Sequence, residues 1–388
     1  NPSFEEPKTS WYENARIALT GDLSQGEQLE VSRVSANLQY ESAPWPSTYI
    51  KLDTKYTYFL HEDKLAQATS GAYSEHKIND AWLQYSHGSC VAKAGRQGLP
   101  WGTVEGSYAV DVINPLDATE PLLTDYSELS LSQDLLLSNC YFGASELEVF
   151  YLPKAKLDLY SHRNRALFDR LESDLKDEWG IRYTHHWEGF DLVLMYAHLY
   201  ENTPQILVDP VKPLNSRLGS SRFDLLGFSA VWAIERLLLE VDLAYKSDQL
   251  RAQTVLIDQT NRKKDLLDLA LGFEYTTSGN HQFSGGVWFF KPRAETSQDE
   301  PQNSQAWNFA WRKQYLNDTL NLSVLNVWIS EPQRASLTAL LEYLLTDYTT
   351  ISGSVTYVDQ PKAADSNSQN TLFSASELST QLSLKLEF

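Results

Sequence analysis

Between Arg96 and Asp125 the chain gathers side chains suited to binding rather than to reacting. Arg96, Trp101, Glu105, Tyr108, Asp111, Asn114, Asp117, Glu120 and Asp125 bring carboxylates, a guanidinium, an amide and aromatic rings into one stretch. Such groups hydrogen-bond, stack and sort charge. Covalent catalysis asks for a nucleophile, a histidine and an orienting acid. Ser161-His162 and His185-His186 are adjacent in sequence, but there is no G-x-S-x-G, and the 8 histidines show no metal-ligand spacing. C-x-x-C-H is absent, so no c-type haem is expected. The chain reads as a non-enzyme with no cofactor and no metal.

The surrounding stretch, 99–133, is too apolar for an exposed loop. Val110, Val112, Ile113, Leu116, Leu122 and Leu123 would be costly in water, so the segment is expected to pack on something. The wall of an enclosed lumen is the expected place; the mouth of the lumen, or a neighbouring subunit, is the alternative.

What could enclose a lumen is legible in the period of the sequence. Leu267, Leu269, Leu271, Phe273 and Tyr275 alternate with Asp268, Ala270, Gly272 and Glu274, and Ile50, Leu52, Tyr56 and Tyr58 oppose Lys51, Asp53, Lys55 and Thr57. A period of two is a β-strand with one apolar and one polar face. Segments of this kind recur from about residue 11 to Phe388, roughly eighteen in all, with sixteen as the alternative. Their connections alternate. Ala43 to Pro46, Gly143-Ala144 and Glu188-Gly189 are short, whereas the stretches near 99–133, 154–176, 202–220 and 360–375 are long and polar. Short turns at one rim and long loops at the other is the arrangement of a transmembrane antiparallel β-barrel. Phe223 to Ile234 and the segment through Asn326 alternate poorly, as a bulge or a subunit contact would produce.

Composition agrees. The 388 residues are 42% hydrophobic, and no run reaches the roughly 18 to 20 apolar residues of a spanning helix. Tyr (21) and Trp (11) are plentiful, as aromatic girdles require. A net charge of -19 argues against nucleic acid, whose phosphates need a basic surface. The last strand, Glu377 to Phe388, puts Leu378, Leu382, Leu384, Leu386 and Phe388 on one face. A terminal strand ending in Phe is the pattern of Gram-negative outer-membrane barrels. The expected organisation is therefore a single barrel domain over 1–388, a periplasmic N-terminal segment at 1–10 and a third extracellular loop, 99–133, folded inward. Asn1-Pro2-Ser3 does not start a signal peptide, so residue 1 should lie near the start of a processed chain. A TonB-dependent transporter, which needs a large N-terminal plug, does not fit strands that begin this early. Bilayer and lipopolysaccharide are the expected surroundings; monomer and trimer are both open.

Strand parity places further charges inside. Arg16, Arg33, Lys51, Lys55, Arg96 and Arg182 fall in earlier strands, and Asp191, Glu240, Asp242, Asp268, Glu274 and Glu342 in later ones. Two opposed walls would set a transverse field across a pore; the alternative is that the charges pair across a filled lumen. Cys90 starts the strand that enters the long loop and Cys140 closes the strand that leaves it. A periplasmic disulfide anchoring the base of the loop and a pair of free thiols are both open.

Gly95-Arg96-Gln97, Trp101-Gly102 and Asp111-Val112-Ile113-Asn114-Pro115-Leu116-Asp117 also form a series. It resembles the G-R-Q, W-G, N-P-x-D series of a large group of proteobacterial outer-membrane barrels of unknown function, over about 25 residues. The resemblance implies an outer-membrane conduit for small polar or amphipathic solutes, or an accessory of an envelope export system working with a periplasmic or lipoprotein partner. A closed barrel that acts as scaffold or sheath for such a partner is the alternative.

Overall fold

The computed structural model describes residues 15–25, 30–60, 74–117, 129–159, 171–172, 174–207, 217–251, 262–292, 304–330, 334–359 and 377–388. The expected N-terminal segment 1–10, and Glu120 and Asp125 of the long loop, lie outside these residues.

Eighteen strands form one antiparallel sheet closed on itself. In chain order they begin β1 (Ala15–Gln25), β2 (Glu30–Ser42), β3 (Thr48–Phe59), β4 (Ser74–His87), β5 (Cys90–Gln97), β6 (Gln133–Phe142), β7 (Ser145–Leu152), β8 (Glu178–Trp187) and β9 (Phe190–Tyr200). A two-stranded ribbon, β10 (Gln205–Leu207) and β11 (Arg217–Gly219), sits in the next connection. The wall resumes with β12 (Arg222–Ile234), β13 (Leu237–Arg251), β14 (Arg262–Thr276), β15 (His281–Pro292), β16 (Ser304–Tyr315), β17 (Leu320–Ile329), β18 (Arg334–Thr346), β19 (Thr349–Asp359) and β20 (Glu377–Glu387). Each strand pairs with the next, β9 pairs with β12, and β20 returns to β1 with Leu382 opposite Leu23 and Leu386 opposite Leu19. Closure leaves no sheet edge to be satisfied elsewhere.

One rim consists of tight turns. Gly88, Gly143 and Gly189 take φ of 57°, 63° and 73° there, a left-handed conformation that costs glycine nothing. The long connections, including 98–132, leave the opposite rim. No helix among the described residues is long and apolar enough to cross a membrane.

Side chains alternate across the wall. Ile17, Leu19, Leu194, Leu226, Leu271, Leu341 and Leu382 point outward and are exposed. Outward aromatics form two belts. Tyr85, Tyr141, Trp187, Trp232 and Tyr315 sit near the short-turn rim, and Tyr58, Tyr151, Trp179, Trp307 and Tyr357 near the other. A continuous apolar surface of this size would be costly in water, and two aromatic girdles bracket the height of a bilayer core.

Inward faces differ around the circumference. On β6, β7, β9 and β12 much of the inward face is apolar: Leu135, Leu137, Phe150, Leu152, Val193, Met195, Ala197, Leu199, Phe223 and Leu225, with Ala244 of β13, form one buried cluster with Leu99, Trp101, Val110 and Ile113 of the long loop. This explains the poor alternation of β12. Both of its faces are apolar because one meets the loop and the other points out of the barrel. In β17 the inward positions include Leu325 and Val327, opposite Thr338 and Ser336, while Asn326 faces outward and donates to the Ser336 carbonyl.

Candidate functional site

The long loop enters the lumen and packs against one side. The wall is shaped for it. Gly180, Ala197, Gly227, Ala244, Ala270 and Gly272 share the inward parity of neighbouring strands. A Cβ on Gly180 would meet the Trp101 ring at 2.8 Å, and one on Gly227 would meet Met195 at 2.7 Å and Val110 at 3.2 Å. These small residues are the sequence signal that marks where the loop lies.

Polar anchors fix the loop in this groove. Asp242, fully buried, accepts the Thr103 and Val104 backbone N–H groups at 3.1 and 3.0 Å, the Thr103 hydroxyl at 2.7 Å and the Ser229 hydroxyl at 2.5 Å. Lys246 donates to the Tyr108 carbonyl at 2.9 Å and pairs with Asp268 at 2.6 Å. Glu148 accepts the Trp101 indole N–H at 2.9 Å and pairs with Arg182 at 3.1 Å, and Arg182 also reaches the Pro100 carbonyl. Within the loop, the Asn114 side chain accepts the Leu99 N–H and Asp111 accepts the Trp101 N–H. Burial pushes the Asp111 carboxyl up to about 6; the Trp101 N–H opposes the shift and the nearby Asp242 adds to it.

The loop spans the lumen. Asn308 on β16 donates to the Glu105 carbonyl at 2.8 Å, and Arg312 on the same strand lies 3.5 Å from the Glu105 carboxylate. Next to it, Gly106 takes φ +75° against the Asn308 amide, 2.7 Å from where a Cβ would stand. On the other side Asp117 pairs with Lys77 of β4 at 3.2 Å. Two large cavities lie beside the loop. One, about 820 Å³, lies between the loop and β2–β4; the other, about 870 Å³, is lined by β14–β19. Glu105 lines both.

The candidate residues therefore separate. Trp101, Glu105, Tyr108, Asp111, Asn114 and Asp117 come together on the inward loop. Arg96 does not join them. Gly95 and Gln97 take the inward parity beside Leu135 and Gln133, which leaves Arg96 outside the wall, where it binds Asp134 through two bonds with Lys156 3.4 Å from the same carboxylate. Nor are the inward charges sorted into two walls. Arg33 pairs with Asp22 at 3.3 Å and Lys51 with Asp80 at 3.0 Å, each within the early strands, and Lys55 lines the same cavity. Asp242, Asp268 and Arg182 hold the loop. Glu240, nearly buried, stands diagonal to Glu274 on the neighbouring strand. Asp191 meets His186 at 2.7 Å, Glu342 lines the larger cavity, and Arg16 faces Gln39 at the short-turn end.

Cys90 and Cys140 are directly opposite on β5 and β6 and are joined as a disulfide. The bond lies at the short-turn end. The loop leaves from Gln97 and Gln133 at the other end of the same strand pair, so the disulfide clasps these strands far from the base of the loop.

Neither a protein-family model nor a curated protein sequence matches the chain. Solved structures match it in shape. They include Acinetobacter baumannii OccAB1 (TM-score 0.59, 9% identity, 97% of this chain and 96% of that one) and OccAB4 (TM-score 0.57, 10% identity, 96% and 97%). Pseudomonas aeruginosa OpdK, crystallised with vanillate, matches with a TM-score of 0.58 and 8% identity over 97% of this chain and 99% of that one. At such identities the likeness is one of fold: a closed antiparallel β-barrel, here of eighteen strands.

Proposed function

We propose that the barrel is a porin-like passive conduit for small polar solutes across the outer membrane of a Gram-negative bacterium, with the short turns in the periplasm and the long loops outside. The carrying observation is the asymmetric packing of the inward loop. Its apolar back seals one side of the lumen, while its polar face leaves the two cavities that share Glu105. A scaffold with a closed interior has no need of a hydrophilic inner surface of this extent. Passage through such a space calls on hydrogen bonding and charge, which these side chains supply.

The smaller channel-side cavity is lined by Arg33, Lys51, Lys55 and Lys77 and by Asp53, Glu75, Asp80, Glu105, Asp111 and Asp117, so acids exceed bases by two. An aromatic carboxylate such as the vanillate of the OpdK crystal would be repelled by that excess here. Recording from the purified protein in planar bilayers tests the reading. Discrete conductance steps are expected. A silent bilayer containing folded protein would favour the closed scaffold, and a lipoprotein or periplasmic export component that copurifies with it would identify what it serves.

A further inference from the structure

The strip of wall across from the loop is built differently from the acid-rich surface around it. Asp53 on β3 is buried, yet among the described residues no cation pairs with it at bonding distance. Instead it accepts three side-chain amides: Asn37 at 3.1 Å, Gln39 at 2.7 Å and Asn79 at 3.0 Å. Asn79 sits at the register shift where β4 carries one more residue than β3, which turns its amide into the lumen beside Asp80. Above and below this fan Lys51 pairs with Asp80 within the wall at 3.0 Å, and Lys77 pairs with Asp117 of the loop at 3.2 Å. The result is a row of carboxamides gathered around one carboxylate.

The facing side of the slot is the loop, which presents Gly102, Ser107, Ser130 and Ser132 beside the carboxylates of Glu105, Asp111 and Asp117. The glycine leaves room, and the serine hydroxyls both donate and accept. Directly below, toward the short-turn rim, the inward residues become aromatic. Trp82 is opposite Lys51, and its ring lies 5.7 Å from that of Tyr49, with the Lys93 ammonium 4.7 Å from the indole.

We infer that this slot is a binding path for neutral polyhydroxylated solutes of the small-oligosaccharide class, with the Asn37–Gln39–Asp53–Asn79 fan as its hydrogen-bonding station and the Tyr49–Trp82 pair at its exit. The inference rests on the conduit reading and names its substrate class. A sugar hydroxyl donates and accepts at once. Carboxamides do both, through the N–H bonds not spent on Asp53 and through their carbonyl oxygens, while the carboxylate accepts. A space of about 820 Å³ falls within the usual size range of ligand pockets. The π faces of the Tyr49 and Trp82 rings below the fan suit the C–H groups of a sugar leaving it.

The test uses the intact barrel in planar bilayers, with sucrose and raffinose as probes and a hydroxyl-free polyether of equal size as control. With KCl current flowing, the sugars are expected to interrupt it in a concentration-dependent way that the polyether does not reproduce. Asn79→Ala and Gln39→Ala should each raise the half-blocking concentration about tenfold, the loss of roughly one hydrogen bond to a polar ligand. Heat-modifiable gel mobility reports whether each variant is folded, and the wild-type comparison of sugar with polyether decides even if one is not. Equal interruption by sugars and polyether, or an unchanged half-blocking concentration in both folded variants, overturns the inference while leaving the conduit intact. Absence of any KCl current overturns the conduit and this inference with it.

Discussion

The Asp242 carboxylate accepts the backbone N–H of Val104 at 3.0 Å, joining residues 138 apart in the chain. With the Thr103 N–H and hydroxyl on the same carboxylate, this contact moors the loop at the point where it crosses the lumen. Removing the acceptor strands two amide donors in a buried place, at about 1 to 3 kcal/mol for each unsatisfied group. Asp242→Ala is therefore expected to lower the thermal transition in detergent and to give a larger, noisier conductance as the loop swings free. Asp242→Asn, which keeps one acceptor, should fall between. A quiet, wild-type current from Asp242→Ala would show that the apolar back of the loop holds it unaided.

Disulfide chemistry gives a second, separable outcome. Because Cys90–Cys140 closes a span of 50 residues and sits away from both cavities, its loss should act on stability and leave conduction alone. A paired Cys90→Ser and Cys140→Ser variant should lose about 2 to 4 kcal/mol. Mass spectrometry after alkylation without reductant should find no modified thiol in the wild type. Two modified thiols would refute the bond.

A pH dependence follows from Asp111, whose carboxyl is pushed by burial up to about 6 from an ordinary 3.8. A raised folded-state pKa means that the fold favours the protonated acid. The stabilising contribution is complete below the unfolded value and is lost as pH rises through about 6. Asp111→Asn keeps an acceptor for the Trp101 N–H and carries no charge. It should match the wild type near pH 4 and exceed it at pH 8, by at most about 3 kcal/mol for a shift of this size. Thermal melts at the two pH values check the sign; a variant less stable than wild type at pH 8 would contradict it.

What the sequence revealed and what it hid have physical reasons. A barrel strand needs period-two alternation along its own length, so strand number and the alternation of short and long connections could be read locally. The inward course of the loop could be read from Val110 and Ile113, because apolar residues need cover. The roles of Asp242, Asp268 and Arg182 could not, because inward parity says that a charge enters the lumen and says nothing of what it meets there. Arg96 went astray for a related reason. Its parity is set by the register of β5 against β6, which places Gln97 opposite Gln133 and turns Arg96 outward. The stripe of inward glycine and alanine on β8, β9 and β12–β14 was the available clue, since small residues side by side on a lumen wall make room for a packed chain.

Glu105 provides the last prediction, because it borders both cavities while Arg312 faces it from β16 at 3.5 Å. Both side chains are well exposed, so the pair adds little to stability, and its effect falls on passing ions. With acids in excess along the smaller cavity, the wild type should prefer cations weakly under a salt gradient. Glu105→Gln removes a charge from the border of both cavities and leaves Arg312 without its partner, so the reversal potential should shift toward anions. Arg312→Gln should shift it the other way. Both shifts should grow at low salt, since screening extends over about 10 Å at 0.1 M and lengthens on dilution. If both substitutions move the potential in the same direction, or neither moves it in dilute salt, the charges that sort ions lie elsewhere in the lumen.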